Sequence, residues 1–228
     1  MGYVARFLPP SSYISSEGPD IVRKVFISYH HANDQWAKDA LVTMNFWGDV
    51  FEDLSVNSGD IDDEYLTDEE IRVRVRDGYL RQSTVTLVLV GTETRYRKHV
   101  DWELFSSMRD SQLNPKSGII LVPLPDTGIT HFTAAHGAEE KNAIYPDVTN
   151  WTSWNRGEHE DIYPHFSTRM IDNLVCPTAH ISVVPWNRIV NSPDNLRREI
   201  EYAHADRMTC EYDFSTLMRR RNGPGLRR

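Results

Sequence analysis

Three short runs, apolar at nearly every position, constrain this chain more than any other feature. Val85–Val90 (VTLVLV) shows no alternation of apolar and polar side chains. A strand with one wet face alternates, whereas a strand covered on both faces does not. Val25–Tyr29 (VFISY) and Ile119–Leu124 (IILVPL) read the same way, and Ile181–Val184 is a shorter run of the kind. Asp49–Ser55 supplies a further candidate strand. Helical patterns lie between these runs, and that alternation calls for a parallel sheet joined by crossover helices.

The helices are read from spacing and caps. Trp36, Ala40, Leu41, Met44 and Trp47 recur at helical intervals, with Asn33 or Asp34 placed to cap them. Thr67 and Glu70 form a capping box ahead of Ile71, Val75 and Tyr79, and Asp68/Arg72 and Glu70/Arg74 are i,i+4 pairs with the acid leading. Val100, Leu104, Phe105 and Met108 give a stripe after Gly91. Ser192-Pro193 opens a last helix with Leu196, Ile200, Ala203 and Met208 inside. The expected fold is an α/β three-layer sandwich with a central, mostly parallel sheet of five strands in the flavodoxin-like order. Residues 1–22 read as an irregular lead-in, 23–210 as the domain, 126–178 as an irregular insertion within it, and 211–228 as a basic tail.

The length of 228 residues suits one core with some elaboration. No apolar run approaches the ~20 residues of a membrane helix, and the start lacks the basic-then-apolar design of a secretion signal. Cys176 and Cys210 form neither a framework nor a CxxC pair. A cytoplasmic protein with no membrane partner is expected. The net charge of −8 argues against a general nucleic-acid binder. The exception is Arg219, Arg220, Arg221, Arg227 and Arg228, which read either as a solubilising tail or as a basic contact.

Two stretches carry candidate chemistry. The loop Ser28-Tyr29-His30-His31-Ala32-Asn33-Asp34 follows the first strand. It can hold an anion on backbone N–H groups and a sugar or phosphate on its histidines, or it can be a solvated loop that starts a helix. Gly91–Leu104 follows the central strand, beyond whose carboxyl end an α/β sheet binds its ligands. Glu103 falls there on the flank of the apolar stripe, with Trp102 roughly opposite that stripe. It either carries chemistry or merely favours the first turns of its helix. There is no GxGxxG, no P-loop, no GxSxG and no HExxH. No metal site is assigned: the histidines are scattered, and the acidic run Asp60–Glu64 lacks EF-hand spacing. That run belongs to a stretch, Asp49–Glu70, with ten carboxylates and no Lys or Arg.

VFISYHHAND near the start, paired with LVLVGTETRYRKHVDWEL some sixty residues on, resembles the TIR-like proteins of the Thoeris antiphage-defence type. The resemblance covers roughly residues 24–125 and implies a TIR-like, flavodoxin-like fold. It also implies an enzyme that consumes NAD⁺ as substrate, with no separate cofactor, by cleaving the nicotinamide–ribose bond. The implied product is a cyclic or modified ADP-ribose signal, read by a partner effector and made after a phage-derived trigger, with a homo-oligomer as a further implication. The family's catalytic glutamate falls on Glu103. Ser28, Tyr29, His30, His31 and Asp34 fall on the loop bordering the nucleotide pocket, with His99 and Trp102 beside the glutamate. His99 stands where the family often has an aromatic residue. Two other readings stay open: a non-catalytic interaction module whose Asp49–Glu70 stretch meets a basic partner, and a nucleotide-sensing domain.

Overall fold

The computed structural model describes residues 22–55, 66–80, 82–110 and 115–223. The lead-in to residue 21, the acidic run Asp60–Glu64, Arg81, and Arg227 and Arg228 lie outside the described residues, as do the side chains of Asp68 and Tyr79.

Five strands form one all-parallel sheet: β1 (Arg23–Ser28), β2 (Phe51–Asp53), β3 (Val85–Val90), β4 (Gly118–Pro123) and β5 (Ile181–Val183). Their order is β2-β1-β3-β4-β5. The chain steps from β1 to one side, then crosses back to place β3 on the other. The topological switch point therefore lies between β1 and β3, where Val25 pairs with Val85 and Ser28 with Val88.

Burial on both faces explains the unbroken apolar runs: every residue of β3 and β4 is buried. On one face Val25, Ile27, Leu87, Leu89, Ile120 and Val122 pack against α1 (His31–Gly48), α7 (Trp186–Val190) and α8 (Pro193–Asp206). On the other, Val88, Val90, Ile119, Leu121 and Val183 meet α3 (Lys98–Ser107) and α6 (Thr168–Val175). Phe26 joins this second face to α2 (Asp68–Val73) and to the π-helical continuation Arg74–Tyr79, through Ile71, Val75 and Leu80. Thr67 and Glu70 make the capping box in full. Arg72 pairs with Glu69, three residues back, at hydrogen-bond distance. No helix among the described residues is long and apolar enough to cross a membrane.

Several expectations fail in informative ways. The helix after β1 begins at His31, with His30 as its cap and no side-chain cap bond, because Asp34 points to the next loop instead. Its buried side is Asp34, Ala37 and Leu41, while Trp36 and Trp47 are exposed. Met208 lies beyond α8 and is exposed. The region 126–178 is not irregular. It contains α4 (Ala138–Ile144), α5 (Arg156–Ile162) and α6. Asn155 and Glu158 build a capping box for α5, and Ser167 caps α6.

The segment 211–223 is no loose tail. It runs as a strap across the helical layer, with Tyr212 and Met218 buried. Tyr212 Oη donates to the Ser117 carbonyl at 3.0 Å. Asn173 Nδ2 donates to the Asp213 carbonyl at 3.1 Å, and the Asp213 amide donates back to Asn173 Oδ1 at 2.8 Å. The strap ends on α3, where Asn222 Oδ1 accepts from the Lys98 amide at 2.9 Å and the Gly223 amide donates to the Tyr96 carbonyl at 3.1 Å.

Candidate active site at the sheet switch point

Two loops leave the carboxyl edge of the sheet on either side of the switch point, one after Ser28 and one after Val90. They are knitted together by Gly91, Thr94 and Asp34. The Gly91 amide donates to Thr94 Oγ1 at 2.9 Å, and Thr94 Oγ1 donates to Asp34 Oδ2 at 3.2 Å. A Cβ on Gly91 would lie 2.6 Å from Asp34 Oδ2 and nearer still to Oδ1, so only glycine lets the loops approach this closely. Asp34 is buried, and desolvation holds its carboxyl above the usual range against the Thr94 bond. Asp34 thus ties the two loops together.

Glu103 reaches from α3 to the end of β1. Ser28, the last residue of β1, faces the same side of the sheet, and its Oγ donates to Glu103 Oε2 at 2.6 Å. Both are buried, Ser28 at 1% and Glu103 at 7% exposure. Burial pushes the Glu103 carboxyl up to about 7, and the Ser28 hydrogen bond pulls it back in part. No ion-pair partner faces it among the described residues. A buried carboxylate left without a cation is costly to a fold and is a recognised mark of a functional position. Near neutral pH it can hold a proton or, once ionised, stabilise positive charge brought to it.

The rim is built from the first loop. Tyr29 and His31 stack with ring centroids 4.3 Å apart, and Tyr29 Oη donates to Gln35 Oε1 at 2.7 Å. His30 keeps Nδ1 buried without a hydrogen-bond partner. Burial, and next the nearby Arg97 guanidinium, lower its pKa, so its imidazole is neutral at pH 7. Burial likewise lowers His31. Arg97 itself pairs with Glu93 at 2.8 Å.

The structure thus brings Ser28 and Glu103 into direct contact and sets Tyr29, His30, His31 and Asp34 around the first loop. His99 lies one turn before Glu103, its ring edge-on to Trp102 at 4.9 Å. Trp102 is a core residue, against the expectation of exposure beside the glutamate. It is fully buried among Phe26, Ile71, Val75, Leu80, Phe105 and Met218, and its Nε1 donates to the Arg219 carbonyl at 2.7 Å. Reading Trp102 as lying away from the core fails because the strap and α2 cover the far side of α3.

Sequence reasoning missed the contribution of the 126–178 region. His165 Nδ1 hydrogen-bonds the Thr92 carbonyl at 3.2 Å, and Arg95 donates to the Pro164 carbonyl. The turn between α5 and α6 therefore rests on the loop after β3. The Asn155–Glu158 capping box was the available sequence signal for a helix there.

A comparison with curated proteins finds no match. Residues 26–128 match the family model described as the Thoeris protein ThsB, TIR-like domain. That span begins inside β1 and ends just past β4, so it holds Ser28, both loops and Glu103. The matched residues 26–128 are thus similar to the TIR-like domain of the Thoeris protein ThsB.

Proposed function

We propose that the protein processes NAD⁺, breaking the nicotinamide–ribose bond with Glu103 as the catalytic carboxylate. The observation that carries this reading is Glu103 itself: buried at the switch point, hydrogen-bonded by Ser28, and facing no cation among the described residues. Nicotinamide leaves as a neutral molecule, so the step needs no acid to protonate it. Its transition state is oxocarbenium-like, as in glycoside hydrolysis. Ionised Glu103 stabilises that charge and accepts hydrogen bonds from ribose hydroxyls. The proton it holds near neutral pH departs as the positively charged nicotinamide ring enters, because a nearby cation favours the carboxylate.

His30, with an unpartnered buried Nδ1, offers a neutral hydrogen-bonding edge to the sugar or phosphate. Tyr29 and His31 stack in the loop after β1, and His99 lies one turn before Glu103 on α3. Exclusion of water then favours attack on the ribose by another hydroxyl or an amine over hydrolysis. The product is a cyclic or otherwise modified ADP-ribose that signals to a partner effector after a phage-derived trigger.

The test is mass spectrometry of nucleotides from cells expressing wild type or Glu103→Gln, before and after phage challenge. A new ADP-ribose species with wild type alone is the expected result. Identical nucleotide pools, with both proteins folded, would refute the enzymatic reading and favour an interaction module.

A further inference from the structure

A separate cleft of about 320 Å³ opens between the start of α6 and the strap. Its lining includes four arginines, Arg169, Arg219, Arg220 and Arg221, with Ser167 and Thr168 beside them. In a chain of net charge −8, this is a local reversal of sign.

The four arginines are not equivalent. Arg169 is fully buried and fully committed. Its Nε and Nη2 donate to Asp101 at 2.9 and 3.3 Å, and its Nη1 and Nη2 to the carbonyls of Thr216 and Leu217 at 3.0 and 3.2 Å. Asp101, the carboxylate of the lining, is equally engaged, since it also accepts the Arg219 amide at 2.7 Å. This inner pair cancels itself and makes a rigid floor. The outer charges remain. Arg219 spends Nη1 on the Gly223 carbonyl at 2.8 Å, and Arg221 is exposed with no ion-pair partner among the described residues.

We propose that this cleft binds a small phosphate-bearing anion, held by the guanidinium forks of Arg219 and Arg221 and by the hydroxyls of Ser167 and Thr168. Guanidinium forks match phosphate oxygens two at a time. The volume lies at the lower end of the roughly 300–1,000 Å³ of small-molecule pockets. A concave pocket in an acidic protein suits a compact anion better than a nucleic-acid strand, which needs a long basic track. The site does not depend on the NAD⁺ reading, and its arginines belong to none of the crevice residues.

Inorganic pyrophosphate is the probe, titrated calorimetrically into the full chain. Wild type should bind it, and more weakly as salt rises. Arg219→Gln/Arg221→Gln should bind it roughly tenfold more weakly or worse, with an unchanged melt, and Arg221→Gln alone gives an intermediate loss if the double variant is unstable. Glu103→Gln should bind like wild type. Any one of four results overturns the proposal: no binding to wild type at millimolar pyrophosphate, equal binding by the arginine variants, loss of binding in Glu103→Gln, or tighter binding of a single-stranded oligonucleotide through the same arginines.

Discussion

Glu103→Gln should make this protein more resistant to alkaline pH while ending its proposed turnover. Burial raises the Glu103 carboxyl from 4.5 to about 7. At ~1.4 kcal/mol per pKa unit, that difference amounts to about 3 kcal/mol. Unfolded, the group ionises near 4.5; folded, it keeps its proton until about 7. Between those values the folded state binds more protons, so stability falls as pH rises, and above the folded pKa the full penalty stands. Glutamine carries no titrating proton and lacks this slope. Its amide also needs a hydrogen-bond acceptor, a cost of ~1–3 kcal/mol that is the same at every pH. The informative quantity is therefore the change in the difference between the two proteins. Thermal melts of both, from about pH 5 to about pH 8.5, should show the difference in Tm moving in favour of the variant by roughly 6–12 °C, since ~1 kcal/mol corresponds to ~2–4 °C in a domain of this size. Parallel Tm curves would show that Glu103 is not desolvated and would remove the electrostatic basis of the site.

Three further outcomes are expected. Ser28→Ala removes the hydrogen bond that lowers the Glu103 pKa, so the rise of the proposed NAD⁺ consumption with pH should move to higher pH. A pH–rate profile that stays in place refutes this. Gly91→Ala forces a methyl against Asp34 and should cost about 1–3 kcal/mol in urea unfolding, the usual range for overpacking. Arg169→Ala strands the buried Asp101 carboxylate and should cost about 3–5 kcal/mol; an unchanged unfolding midpoint would show that the strap and its ion pair contribute nothing.

The strands and the position of Glu103 beside the sheet edge were legible in the sequence for physical reasons. Val85–Val90 sits inside a doubly covered sheet, and its unbroken apolarity says so. Glu103 was legible through position: a carboxylate just beyond a central strand, on a helix flank. The misses share a different cause. Helix α6 carries an apolar face of Met170, Ile171 and Leu174, but it is only eight residues long and also buries Arg169, Asp172 and Asn173. Their burial is made tolerable by Asp101, Arg156, Thr216 and the backbone of the strap, partners tens of residues away. Arg76 is another such case. It is fully buried, with Nη1 donating to Ser117 Oγ at 3.1 Å, in an arginine-rich segment whose spacing does not single it out. Trp102 was misread for the same reason. Its covering residues arrive from Met218 and Arg219, and nothing local in LVLVGTETRYRKHVDWEL announces them.

The strap also sets an order of events during synthesis. Lys98, at the start of the helix that carries Glu103, is 124 residues ahead of Asn222, which accepts its amide. Translation proceeds at roughly 5–20 residues per second, so α3 emerges well before the segment that caps it and covers Trp102. The sheet edge and both loops precede the strap in the chain, but the helix bearing the carboxylate lacks part of its cover until residues 212–223 arrive. Contacts of such long range are made late in folding. Covering of α3 is in this way tied to translation through the strap, and a ribosome-bound protein stalled before it should be folded only in part.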